Sequence, residues 1–135
     1  MRILVVEQEA AERKQITGLL SVYGDCDTAA GGAQAVEEFR RALENNNPYD
    51  MMCFDIIMPG KDGYQVIKEV RDIEKEKGVT EDNRVKLVVI SEINVGNNVK
   101  KAFDLGCDAY AGKPVNPDKF AAALKKLNII KDSAE

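Results

Sequence analysis

Apolar and polar positions along this chain fall into two kinds of block. Ile3-Leu4-Val5-Val6, Met51-Met52-Cys53-Phe54 and residues 85–90 are short, nearly unbroken apolar runs. Runs of that length mark strands covered on both faces. Between them the apolar residues recur at three- and four-residue spacing: Ile16, Leu19, Leu20; Ala35, Val36, Phe39, Leu43; Val66, Ile67, Val70, Ile73; Val99, Ala102, Phe103. That spacing places one stripe of each helix against a core. Gly24, Asn45-Asn46-Asn47-Pro48, Pro59-Gly60 and Gly106 punctuate the blocks.

The pattern predicts strands at 2–6, 25–29, 50–54, 86–90 and 109–111, with helices at 10–22, 32–44, from 63 onward, 97–105 and 117–127. Residues 78–83 read as a polar loop, and 131–135 as a frayed end. The charged run 69–77 reads as a solvated helix face carrying opposite charges four residues apart. Five strands alternating with five helices imply an α/β doubly wound parallel sheet with helices on both faces. The expected organisation is one domain over 1–128 and a short tail over 129–135, without an effector domain.

The strand ends carry the chemistry. The first strand runs into Glu7-Gln8-Glu9, the third into Asp55 before Pro59-Gly60, the fourth into Ser91, and the last into Lys113-Pro114. Ligands of open doubly wound sheets bind beyond the carboxyl ends of the strands, where the strand order reverses. In the order 2-1-3-4-5, strands one and three are neighbours there, so Glu7 meets Asp55. Two carboxylates in a crevice repel unless a cation intervenes, and a hard ion such as Mg2+ suits their oxygens. Ser91 is placed to donate to a bound oxyanion and Lys113 to neutralise it. The chemistry this indicates is phosphoryl transfer onto Asp55. The blander alternatives are that Asp55 braces the next turn and Ser91 caps the next helix.

Composition removes several function classes. A net charge of −4 disfavours a general nucleic-acid binder. No apolar run approaches the length of a membrane span, and the chain enters a strand directly without a secretory leader, so the expected location is the cytoplasm. There is no histidine, which excludes histidine-based catalysis and a phosphohistidine on this chain. Cys26, Cys53 and Cys107 have no ligand-like spacing and read as structural.

The segments Ile3-Leu4-Val5-Val6-Glu7, Phe54-Asp55-Ile56-Ile57-Met58-Pro59-Gly60-Lys61-Asp62-Gly63-Tyr64, Val89-Ile90-Ser91 and Gly106-Cys107-Asp108-Ala109-Tyr110-Ala111-Gly112-Lys113-Pro114, in this order, resemble the receiver domain of two-component response regulators. The resemblance covers nearly the whole chain and implies a flavodoxin-like receiver fold. It implies Asp55 as phosphoacceptor, Ser91 as switch hydroxyl, Tyr110 as the aromatic switch, and Lys113 as phosphate contact before a cis-proline. It also implies Mg2+ held by Glu7, Asp55, the Ile57 main-chain carbonyl and, weakly, Gln8. The phosphoryl group would come from a histidine kinase or phosphotransfer protein. Output would pass to a protein partner through the 95–127 face, the chain being a monomer or weak dimer and not an enzyme for outside substrates.

Two positions depart from the family pattern. Gln8 is neutral where receivers place a second acid, and Glu92 is bulky and charged where the residue after the switch hydroxyl is small. One charge lost beside a divalent cation is expected to weaken Mg2+ by about a hundredfold or more, at about 1.4 kcal/mol per tenfold. These departures motivate a second expectation, a pseudo-receiver that keeps the fold as a binding module with little or no phosphorylation. A flavin-type cofactor binder is disfavoured, because Glu7-Gln8-Glu9 puts acids where a phosphate-cradling loop needs small residues.

Overall fold

In the computed structural model, which describes residues 1–130, five parallel strands form one sheet in the order β2-β1-β3-β4-β5. The strands are β1 Arg2–Val6, β2 Asp25–Ala29, β3 Met51–Phe54, β4 Lys86–Ser91 and β5 Ala109–Gly112. The helices are α1 Ala10–Leu20, α2 Gly32–Glu44, α3 Gly63–Glu76, α4 Gly96–Leu105 and α5 Pro117–Lys126. This is the predicted fold class and strand order.

Alternate residues of the inner strands feed two cores, which is why those strands read as unbroken apolar runs. Leu4, Val6, Met52, Phe54, Leu87 and Val89 face α2, α3 and α4, where Phe39, Val66, Ile67, Val70 and Ala102 meet them. Ile3, Val5, Met51, Cys53, Val88 and Ile90 face α1 and α5, against Ile16, Leu20, Phe120 and Leu124. Edge strand β2 is mostly polar and shows only Ala29 fully buried.

The β3–α3 loop is built to hold the end of β3. Asp62 caps α3 with a reciprocal pair: its carboxylate accepts from Gln65 N–H at 2.9 Å, and its own N–H donates to Gln65 Oε1 at 3.1 Å. Each such cap contributes about 1 kcal/mol. Gly63 donates its N–H to the Ile56 carbonyl at 2.9 Å. A Cβ at Gly63 would lie 2.6 Å from the Asp55 carbonyl oxygen, so only glycine lets α3 start this close beneath Asp55.

Several expectations are corrected. α1 ends at Leu20 rather than 22, because Tyr23 N–H turns back to the Leu20 carbonyl and leaves Val22 exposed. The 78–83 loop contains a single 3-10 turn, Glu81–Asn83. The expected tail begins too early: Asn128 reverses the chain after α5, and Ile129 and Ile130 pack into the α1–α5 core. The packed unit therefore reaches Ile130, and the expected frayed end, 131–135, lies outside the described residues.

The charged run 69–77 is only partly solvated. Arg71 and Glu74 are buried, with Arg71 donating to Glu74 Oε1 (2.7 Å), to the Val85 carbonyl (3.0 Å) and to Asp108 Oδ2 (2.9 Å). Its Nε and Nη2 also donate to the Gly106 carbonyl at 3.0 and 2.9 Å. Glu74 Oε2 and Asp108 Oδ2 each accept from the main chain of β4 or its approach, Val85 N–H and Leu87 N–H, at 2.8 Å. All five guanidinium N–H groups are thus used, which is what makes a buried arginine tolerable.

Candidate functional site

Parallel pairing fixes the level at which side chains leave the sheet. Val6 pairs with Phe54 and Phe54 with Val89. The residues that follow, Glu7 and Asp55, therefore emerge side by side from β1 and β3. Glu7 is held by its N–H on the Ala29 carbonyl at 3.1 Å, and its own carbonyl accepts from Arg13 at 2.8 Å. On the far side, β5 delivers Lys113, whose N–H donates to the Ser91 carbonyl at 3.0 Å. The Lys113–Pro114 peptide is cis, as the family resemblance implies.

These three side chains converge. Lys113 Nζ lies 2.6 Å from Asp55 Oδ2 and 3.0 Å from Glu7 Oε2. Both carboxylates are almost fully buried, with side chains 9% and 6% exposed. The other Asp55 oxygen accepts from Ile57 N–H at 3.0 Å. Asp55 thus braces its turn and also presents an oxygen to the crevice.

A further carboxylate arrives from α1. Glu12 Oε2 lies 2.6 Å from the same Nζ, with its side chain 40% exposed. Glu12 is not among the strand-end residues that the sequence marks. The available signal was an acid in the first turn of the helix that follows Glu7, facing back toward the strand ends. The ammonium's three protons are matched by three carboxylates.

The electrostatics follow from that packing. Burial pushes the Glu7 carboxyl above 4.5, opposed by the hydrogen bond and charge of Lys113 and reinforced by Glu12 and Asp55. Burial alone would depress the Lys113 ammonium. Its hydrogen bonds to Asp55, Glu12 and Glu7 outweigh that and hold it above 10.5.

Ser91 and Tyr110 meet at one peptide. Ser91 is fully buried, and its hydroxyl accepts from Ile93 N–H at 3.2 Å. The Tyr110 hydroxyl donates to the Ile93 carbonyl, and its ring packs on the α2–α3–α4 core. Ile93 is therefore gripped through both its donor and its acceptor. Ser91 braces the β4–α4 loop and not the helix itself, whose N-cap is Val95. In this arrangement no hydrogen bond among the described residues joins the Ser91 hydroxyl to the side chain of Asp55 or Lys113.

Gln8 is exposed, and among the described residues its side chain makes no hydrogen bond. Glu92 is also exposed. It borders an open groove of about 460 Å3 that runs from Lys113 between Glu12 and Ile16 on one side and Pro114 and Val115 on the other. Ile57, two residues beyond Asp55, is 59% exposed. Cys53 and Cys107 are buried, and burial raises both thiols, Cys107 to about 12, so neither is a reactive thiolate. Among the described residues no helix is long and apolar enough to cross a membrane.

Comparison with known proteins gives the same assignment by an independent route. The family model for the response regulator receiver domain matches residues 3–125. Probable histidine kinase 2 of Oryza sativa subsp. indica is 27% identical over 92% of this chain, but over only 12% of its own length. Probable transcriptional regulator ycf29 of Porphyra purpurea is 27% identical over 97% of this chain and 57% of its own length. The chain therefore spans only part of these relatives. Among solved structures, the receiver domain of the histidine kinase CKI1 from Arabidopsis thaliana, complexed with Mg2+ and BeF3−, superposes with a TM-score of 0.79 at 26% identity, covering 94% of this chain and 89% of that one. A chain of the CheX–CheY–BeF3–Mg2+ complex from Borrelia burgdorferi gives a TM-score of 0.80 at 23% identity, covering 95% and 89%, and shows the shared fold. With that family model spanning nearly the whole sequence, this chain belongs to the response regulator receiver domain family.

Proposed function

We propose that this receiver is a working phosphoacceptor, taking a phosphoryl group on Asp55 from a histidine kinase or phosphotransfer protein. The observation that carries this is Asp55 itself: a buried carboxylate with one oxygen fixed by Ile57 N–H and the other against the Lys113 ammonium at 2.6 Å. Asp55 Oδ2 attacks phosphorus, and the donor imidazole leaves with the electron pair of the broken bond. Lys113 counters the charge of the phosphoryl oxygens.

The donor set fits a divalent cation. Glu7 and Asp55 approach one ammonium together, so they are close enough to share a metal ion, and the same turn carries the Ile57 carbonyl. Mg2+ bound there would supply countercharge to the transferring phosphoryl oxygens. Gln8 removes one acid from the β1–α1 turn; Glu12 adds negative charge at Lys113, but among the described residues no three acids are grouped to hold one metal ion. The buried Asp55–Lys113 contact is what favours the phosphoacceptor over the pseudo-receiver.

Output follows from the grip on Ile93. Ser91 turning toward a phosphoryl oxygen on Asp55 changes its hold on Ile93, and Tyr110 holds the other side of that peptide. The β4–α4 loop then shifts between two states, a population change that one charge-assisted contact is strong enough to drive. The 95–127 face presents Val95, Phe103 and Leu127, which are 63%, 44% and 50% exposed, as apolar surface for a protein partner. On this reading the chain acts on no outside substrate, and it works in the cytoplasm beside its kinase.

The test is direct phosphorylation with a small donor, acetyl phosphate or phosphoramidate, and Mg2+. Intact-mass spectrometry is expected to show one added phosphoryl group that hydroxylamine removes. Asp55→Asn is expected to show none. Modification of Asp55→Asn to the same extent, or none of the wild type by either donor, would contradict the assignment.

A further inference from the structure

Lys113 has three N–H protons, and the resting site spends all of them on carboxylates: Asp55 at 2.6 Å, Glu12 at 2.6 Å and Glu7 at 3.0 Å. A group added at Asp55 Oδ2 brings its own oxygens into the space beside that oxygen. The nitrogen now 2.6 Å away must shift, and its contacts cannot all survive the shift.

The three partners are not equivalent. The side chains of Glu7 and Asp55 are 6% and 9% exposed, whereas that of Glu12 is 40% exposed. A Glu7 released from Lys113 becomes a buried carboxylate without its cation, which is costly. A Glu12 released from Lys113 is hydrated at once, because it lies on the open groove beside Pro114 and Val115.

We propose that Glu12 is a positioning residue for Lys113, holding one proton of its ammonium in the resting site and yielding it when an oxyanion forms on Asp55. Glu12 thereby limits how much of Lys113 is available to the phosphoryl group while adding negative charge for the cation. Its two effects have opposite signs: it weakens binding of an anionic phosphoryl mimic and strengthens binding of Mg2+. The inference rests on the phosphoacceptor reading of the same site.

The experiment compares wild type, Glu12→Gln, Glu12→Ala and Glu9→Gln. Glu9 is an exposed acid at the start of α1, and among the described residues it makes no ion pair with Lys113, so it reports the effect of bulk charge alone. Mg2+ affinity is measured first, then beryllofluoride affinity at saturating Mg2+, with the amide fingerprint confirming that each variant is folded. In both Glu12 variants beryllofluoride is expected to bind about tenfold tighter and Mg2+ to bind severalfold weaker, and Glu9→Gln is expected to change either by less than about twofold. The Lys113 Nζ ammonium signal, sharpened in wild type by three hydrogen bonds, is expected to broaden by faster proton exchange only in the Glu12 variants. Glu12 variants that match Glu9→Gln, or that bind beryllofluoride more weakly than wild type, would overturn the role of Glu12 alone. A wild type that binds no beryllofluoride would overturn the phosphoacceptor reading and this role with it.

Discussion

Replacing Lys113 with methionine is expected to cost about 3–5 kcal/mol of stability at pH 7 and to abolish the response to beryllofluoride. The substitution keeps the stem of the side chain and removes the charge that Glu7 and Asp55 share. Two nearly buried carboxylates are then left facing each other and Glu12. The loss depends on pH with a definite sign. Burial already holds the Glu7 carboxyl above 4.5, and Lys113 is one of the influences pulling it down. Without that pull the folded state binds protons at pH values where the unfolded chain does not. Stability of the variant therefore falls as pH rises through the window above 4.5 and recovers on acidification. In the wild type the Lys113 contribution is fully present below 10.5 and is lost only as pH climbs through its raised folded value. Urea denaturation of both proteins at pH 7 and pH 5 measures this. A deficit that narrows at pH 5, and narrows again with millimolar Mg2+ at pH 7, is the expected result. An equal deficit at both pH values would mean that Lys113 acts through packing and not through charge.

The second large effect lies at the opposite end of the sheet. Arg71→Ala is expected to destabilise the fold by about 3–5 kcal/mol, seen as a fall in melting temperature of about 10 °C or more. The change strands Glu74, whose side chain is 3% exposed, and removes the donors that satisfy the Val85 and Gly106 carbonyls. It also opens a void against Gly106, where the Arg71 stem packs within 3.1 Å of the position a Cβ would take. Arg71 is remote from the Lys113 cluster in the fold, so Mg2+ and beryllofluoride responses are expected to survive at temperatures where the variant is folded. Loss of those responses in a folded Arg71→Ala protein would show that this network positions the site as well as the fold.

These two places also mark what the sequence could and could not convey. The inner strands and the amphipathic helices are legible because their signals are local: short unbroken apolar runs, and apolar stripes at helical spacing. The candidate site is legible for the same reason, since Glu7, Asp55, Ser91 and Lys113 each follow directly from a strand whose end is marked. Parallel register then brings three of them together without further information. Glu12 was not legible, because its partner is 101 residues away and its contact depends on where the first turn of α1 sits relative to the residue that follows β5. The burial of Arg71 and Glu74 is not legible, because helical i,i+3 spacing looks the same whether a face is wet or packed. Ile129 and Ile130 look like part of a tail in the sequence because two apolar residues carry no periodicity. Their burial depends on the reversal at Asn128, a tertiary outcome.

On the phosphoacceptor reading, Asp55 and its neighbours form a working switch despite the neutral Gln8. The most direct test of that reading is an amide NMR titration with Mg2+ and then beryllofluoride, with Asp55→Ala as the control. Mg2+-dependent shifts are expected at Glu7, Asp55 and Ile57. Beryllofluoride is then expected to extend them through Ser91 and Ile93 to Tyr110, with neither response in the control. An unresponsive spectrum at millimolar Mg2+, or shifts that Asp55→Ala shares, would contradict it and leave the fold as a binding module alone.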